Sequence, residues 1–220
     1  MTKGILVLVR HGQSVDNIKR LMTGHNDVPL TKTGEEQARA AGLLIKDIKF
    51  DKVYSSPLGR AFNTAALALK AAGQDLPIEK RNELLEGDAG KFAGRSMDND
   101  PEVKKFVRFY DTPMPGGESD KQLVARVQKL FDEEIWPRLR RGEKVVVFSH
   151  SGTTRAAGIP LGLAQPPQDG MPWKRTAIPN ATPLVYEVEG DVVTKAYVLE
   201  NPVTEKANKP PAKPADKFKP

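Results

Sequence analysis

The 220-residue chain contains no cysteine and only three histidines. Without thiols it can form neither disulfides nor thiolate metal sites, and a reducing cytoplasmic setting is compatible with it. No apolar run approaches the ~20 residues of a membrane span, and the N-terminal one is too short for a secretory signal. We therefore expect a cytoplasmic protein with no membrane partner. HExxH, an EF-hand loop, zinc-finger spacing and an RNP motif are all missing. The net charge of +6 is no stronger a pointer to nucleic acid. Five lysines against Glu205 and Asp216 in the last twenty residues supply half of it. That Pro/Lys-rich stretch, 201–220, reads as a disordered tail behind one domain at 1–200.

What is present is an alternation of strand-like and helix-like segments. GILVLVR (4–10) is continuously apolar and predicts a strand buried on both faces. FDKVYSS (50–56) and GEKVVVFSH (142–150) predict two more. Between them, LTKTGEEQARAAGLLIKDI predicts a helix, with Thr33 and Glu36 as a capping box and Thr31 as a rival cap. Ser56-Pro57 predicts the start of a second helix and Gly73 its stop. Ser119 and Gln122 form another candidate capping box, followed by Leu123, Val127, Leu130, Phe131 and Ile135 on one helical face. A hairpin is expected to turn at Gly190-Asp191. The fold class this implies is α/β: a three-layer α/β/α sandwich with a mostly parallel central sheet.

Ligands of such sheets bind beyond the carboxyl ends of the strands. The first strand delivers Arg10 and His11 there, the second leads into a helix turn carrying Arg60, and the third delivers His150, Ser151 and Gly152. Singly, a histidine after a strand is an ordinary core residue and a helical arginine an ordinary surface residue. Jointly, two arginines, two imidazoles and a helix N-terminus on one rim suit a compact polyanion such as phosphate. Asp98-Asn99-Asp100 reads as a solvated loop, and no metal site is expected.

LVRHGQSVDN, TGHNDVPLTKTGEEQA, SSPLGRAFNTA and VVVFSHSGTTRA, in that order over about residues 5–190, resemble the histidine phosphatase superfamily, which includes the cofactor-dependent phosphoglycerate mutases. The resemblance implies that His11 becomes phosphorylated on its imidazole. It implies that Arg10, Arg60 and His150 form the phosphate pocket, that Asn17 adds a contact, and that Thr23 and Gly24 line it. Ser151 and Gly152 belong to the last block. It also implies an acidic proton donor in LLEGDAGKFAG, where Glu86 is the choice and Glu83 and Asp88 are rivals. Neutral imidazole is a competent nucleophile near pH 7, and protein cations can stand where kinases use Mg²⁺.

Within that superfamily the residues pull two ways. Mutases typically follow the acid with Arg, His and Tyr, whereas this chain has Gly87, Asp88 and Ala89; Arg95 and Arg108 are the only arginines between Gly94 and Gly117. IPNATPLVYE and IWPRLRRGEKVVVFSH lean back towards mutases. The reading therefore places hydrolysis of small phosphomonoesters first, with no cofactor required. A mutase that uses 2,3-bisphosphoglycerate as phosphoryl donor comes second, and a non-catalytic phospho-ligand binder last. The expected partner is a small phosphorylated substrate; nothing in the sequence sets an oligomeric state. Trp173, Lys174 and Arg175 either face an acidic substrate or pack on the surface. Deleting residues 205–220 is expected to leave turnover nearly unchanged in a steady-state assay, and a large loss would contradict the tail assignment.

Overall fold

The run Ile5–Val9 lies in a central strand whose side chains are buried alternately on both faces. Leu6 and Leu8 enter one hydrophobic cluster, Val7 and Val9 the other. The computed structural model describes residues 2–174, 176 and 178–208. In chain order the elements are β1 (Lys3–Arg10), α1 (Val15–Lys19), α2 (Lys32–Leu44), β2 (Lys52–Ser55), α3 (Gly59–Ala71) and β3 (Ile78–Lys80). There follow α4 (Pro101–Lys105), α5 (Asp120–Leu130), α6 (Trp136–Arg140), β4 (Lys144–Ser149), α7 (Ser151–Ala156), β5 (Pro183–Glu189), β6 (Val192–Val198) and α8 (Pro202–Asn208). The single sheet runs β3-β2-β4-β1-β5-β6, its first four strands parallel and its last two antiparallel. The expected mostly parallel α/β fold is thus what the chain adopts.

Each face is closed by helices chosen by the same alternation. Ala41 and Ile45, from α2 and the residue after it, and Ala65, Ala68 and Leu69 of α3 cover Val7, Val9, Val53 and Val146. Leu123, Val127 and Leu130 of α5, together with Phe131, Ile135 and α6, cover Leu6, Leu8, Val145 and Val147. Burying each such side chain contributes on the order of 1.5–3 kcal/mol. One π turn, Phe131–Ile135, joins α5 to α6. Pro137 follows it and has no N–H to continue an ordinary ladder.

Helix starts were mostly readable. Ser119 and Gln122 form a complete capping box on α5. Gly73 stands just past α3 at φ +65° and Gly190 turns the β5–β6 hairpin at φ +61°. On α2 the cap is Thr31, which accepts from the Gly34 N–H at 3.0 Å, rather than Thr33. The α3 start differs from expectation. The helix begins at Gly59, whose N–H donates to Asp27 Oδ1 at 2.7 Å, and Leu58 occupies the cap position with no side-chain bond. Ser56 is instead held against His150 at 2.8 Å, so its hydroxyl serves the rim of the sheet. Asp100 is not merely solvated: it caps α4 and pairs with Arg95.

Past residue 200, where the sequence reading ended the domain, the described chain stays attached to the body. Asn201 and Thr204 are buried and α8 packs on α2. Residues 209–220, the rest of the expected tail, lie outside the described residues.

Candidate active site

Strand register gathers the site. Arg10 pairs with Ser149 across β1 and β4, and Ser55 with Phe148 across β2 and β4, so His11, His150 and Ser56 all follow at one edge of the sheet. The His11 N–H donates to Ser149 O and the Ser56 N–H to Phe148 O, each at 2.9 Å, which extends the ladder one step beyond the strands. Gly12 then leaves the sheet against α2. A Cβ there would lie 2.2 Å from Gly34 O, a separation no side chain tolerates.

The His11 ring is buried, and its Nδ1 lies 2.7 Å from the carbonyl oxygen of Gly12. A carbonyl only accepts, so Nδ1 carries the hydrogen and Nε2 keeps its lone pair. Burial, reinforced by the Arg10 and Arg60 charges, holds the proton affinity of His11 well below that of ordinary histidine. The imidazole is thus neutral and of fixed tautomer. His150 is fully buried and meets His11 edge-on at 5.3 Å between ring centres. Burial, then the charges of Arg60 and Arg10, keep it neutral too. It stands behind His11 and does not itself line the cleft.

Two arginines face the same space. Arg60 is buried and donates from Nη1 to Asn26 O (2.7 Å) and from Nη2 to Gly24 O (2.8 Å). Arg10 donates from Nη1 to Ile178 O at 2.5 Å. Burial lowers its pKa to about 10, still cationic at neutral pH. Buried Nε of each has no hydrogen-bond partner among the described residues, which suits an anion between them. Asn17 uses its Oδ1 on the Ser14 N–H and the Asn180 amide, leaving its own NH₂ as the group to face the cleft. Thr23 and Gly24 line the same space; Gly24 sits at φ +52° where a Cβ would strike Ala89.

Glu86 forms the opposing wall of a cleft of about 240 Å³. Its Oε1 accepts from the Gly87 N–H (2.9 Å) and its Oε2 from the Gly152 N–H (3.1 Å) at the start of α7. A Cβ at Gly152 would stand 2.3 Å from Glu86 Oε1, so a larger residue there would displace that carboxylate. The Glu86 carbonyl is gripped by Arg126 (3.0 Å) and by His25 (2.7 Å). Of the rivals, Asp88 accepts from the Gly90 N–H, and neither it nor Glu83 lines the cleft. Ser151 lines it and lies 3.5 Å from an Arg155 Nη2.

Several lining residues were not singled out from sequence. Arg155 lies one helical turn after Ser151, a spacing that signals a shared face. Arg108 lines the cleft while paired to Asp120 at 2.7 Å. Met22, Met97 and Leu123 give it an apolar side. Asn180, whose amide donates to His11 O at 2.8 Å, lies in the mutase-like IPNATPLVYE but was not singled out as a site residue. Trp173 packs edge-on to Tyr110 at 5.8 Å and near Arg155, Lys174 is exposed, and Arg175 lies outside the described residues.

The family model of the histidine phosphatase superfamily (branch 1) matches residues 6–194. The chain belongs to this superfamily, and it is an enzyme fold. A 2,3-bisphosphoglycerate-dependent phosphoglycerate mutase of Methylorubrum populi is 40% identical over 207 residues, covering 89% of this chain and 94% of that protein. A phosphoglycerate mutase structure from Bacillus anthracis superimposes with TM-score 0.72 at 24% identity, covering 94% of this chain and 98% of that one, and speaks for the fold. A mycobacterial glucosyl-3-phosphoglycerate phosphatase, solved in complex with VO3, superimposes with TM-score 0.67 at 26% identity over 83% of this chain and 92% of that one. Among the described residues no helix is long and apolar enough to cross a membrane.

The neutral histidines carry a stability consequence. The unfolded chain takes up protons near the ordinary value of 6.5, while His11 and His150 in the fold take them up only well below it. The unfolded state therefore binds more protons in that window, and their contribution is full above about 6.5 and falls as pH drops below it. Urea unfolding across this range should show stability lost towards acid, with the slope cut by about half in His150→Gln. A wild-type curve that is flat or rises towards acid would contradict the assignment.

Proposed function

We propose that this enzyme moves a phosphoryl group through a phosphohistidine on His11, in the manner of a 2,3-bisphosphoglycerate-dependent phosphoglycerate mutase. The observation that carries the phosphoryl reading is the neutral His11, whose Nε2 has no hydrogen-bond partner among the described residues, beside Arg10 and Arg60, whose buried Nε groups likewise have none there. The mutase reading draws its support from the relative at 40% identity, which reverses the order given by sequence alone. Arg108 and Arg155 agree with it, adding cationic groups along a cleft whose base already has two. Such a cleft suits a ligand with anionic groups at more than one end.

The residues fit 2,3-bisphosphoglycerate: Arg10, Arg60, Asn17 and Thr23 would hold one phosphate at His11, and Arg108 and Arg155 the far end. When bound it supplies the phosphoryl group that primes the enzyme. In each transfer His11 Nε2 forms the N–P bond as the P–O bond to the leaving oxygen breaks. Glu86 gives that oxygen a proton. In the return half-reaction the incoming hydroxyl gives its proton to Glu86, the new P–O bond forms and the N–P bond breaks, restoring neutral His11. Arg10 and Arg60 hold the equatorial oxygens throughout, and His150 backs the His11 ring.

Hydrolysis is the second reading, and one feature favours it. Gly87 and Ala89 leave the wall beside Glu86 small where mutases of the superfamily typically place arginine and tyrosine, so water has less to exclude it. Phosphorus NMR with 3-phosphoglycerate, with and without 2,3-bisphosphoglycerate, separates the two. We expect 2-phosphoglycerate to accumulate only with the bisphosphate, to be abolished in His11→Ala and to slow about 10²–10⁴-fold in Glu86→Gln. Inorganic phosphate alone would overturn the mutase reading in favour of hydrolysis. No turnover, together with no labelling of His11 by an aryl phosphate, would overturn both.

A further inference from the structure

Asn180, Ala181, Asn201 and Thr204, none of them in the four motif blocks, are joined by buried and partly buried hydrogen bonds that end on the backbone of His11. Asn180 donates from its side-chain amide to His11 O (2.8 Å) and to Asn17 Oδ1 (3.2 Å). Next to it, the Ala181 N–H donates to Arg10 O at 2.9 Å. Ala181 does so at φ +43°, in the left-handed region that a residue with a Cβ rarely adopts. Such a turn persists only where its surroundings over-determine it.

The surroundings come from beyond the last strand. Asn201 donates from Nδ2 to Ala181 O (2.6 Å) and to Gln37 O on α2 (2.9 Å). Its Oδ1 accepts from the Val203 and Thr204 N–H groups and caps α8. Thr204 Oγ1 donates to Asn180 O at 2.7 Å. Asn201 and Thr204 are each at most 2% exposed, so these bonds are shielded from water. Gln37 closes the circuit: its Oε1 accepts from the Gln13 N–H at 2.8 Å, two residues after His11.

We propose that Asn201 and Thr204 are positioning residues that clamp the Asn180-Ala181 turn and thereby set His11, Asn17 and Arg10 for phosphoryl transfer. The proposal rests on the phosphoryl-transfer reading of His11. Within the described C-terminal segment, Asn201 and Thr204 are then the residues that belong to the catalytic framework. A helix cap alone would require only the Oδ1 acceptor of Asn201. A positioning clamp requires its Nδ2 donors as well.

The test separates those roles. Asn201→Ser keeps a cap acceptor but cannot supply the two donors, and Thr204→Val keeps the volume and loses the hydroxyl. The full-length double variant, verified as folded by thermal melting, is compared with wild type for kcat, KM and orthovanadate affinity. We expect kcat to fall and vanadate binding to weaken, each about tenfold, while removal of residues 205–220 changes neither. Wild-type kcat, or a lowered kcat with unchanged vanadate affinity, would overturn the clamp. If wild type neither turns over nor binds vanadate, the reading of His11 fails instead. The clamp is then judged from the ¹⁵N resonance of the Asn180 side-chain amide, which must move in the double variant; an unmoved resonance would overturn it. A double variant that does not fold is replaced by Thr204→Val alone, with the same readouts and the same criteria.

Discussion

The 2.7 Å hydrogen bond from His11 Nδ1 to the carbonyl of its own neighbour, Gly12, is the constraint on which the site depends. It fixes one tautomer, points the remaining lone pair at Nε2, and does so in a pocket where burial and two arginine charges oppose protonation. Were the ring free to turn or to take a proton, the cations around it would still bind phosphate but nothing there could accept the phosphoryl group. Arg10, Arg60 and Glu86 set the charge around this ring.

The fold supplies that constraint through close backbone approach. Parallel pairing of β1 with β4 puts both histidines one step past the ladder, and Gly12 then passes so near Gly34 that neither can carry a side chain. The same device recurs on the opposing wall, where the missing side chain of Gly152 lets Glu86 reach an N–H at the start of α7. Glycine here buys no flexibility; it allows two rigid elements to touch. Arg126 grips Glu118, Glu83 O and Glu86 O together, so the wall carrying the acid is tied to α5.

How much of this could be read beforehand followed from how local each signal is. Buried parallel strands announce themselves as unbroken apolar runs, so β1 and β4 and the residues at their ends were legible, and with them Arg10, His11 and His150. The block containing Glu86 was legible through the superfamily resemblance, and the structure seats that carboxylate, not Glu83 or Asp88, on the cleft. Ser56 misled because its sequence context matches a helix cap, while the long-range contact with His150 decides its use. Asn201 was invisible for the same reason, and Asn180 showed only as part of the mutase-like IPNATPLVYE. An asparagine joining segments 169 or 164 residues apart leaves no periodicity. Pro-Val-Thr-Glu-Lys has the composition of a tail, yet the described residues here form α8, which packs on α2 with Asn201 and Thr204 buried.

Choice between transfer and hydrolysis lies in how the wall at Gly87 and Ala89 treats water, but both require the same histidine in the same state. The most direct measurement is therefore ¹⁵N NMR of the His11 side chain in the folded enzyme, followed from neutral pH to below about 6.5. The account predicts a protonated Nδ1 and an unprotonated Nε2 across that whole range. A ring protonated on Nε2 at neutral pH, or one that takes a second proton near the ordinary histidine value, would contradict it.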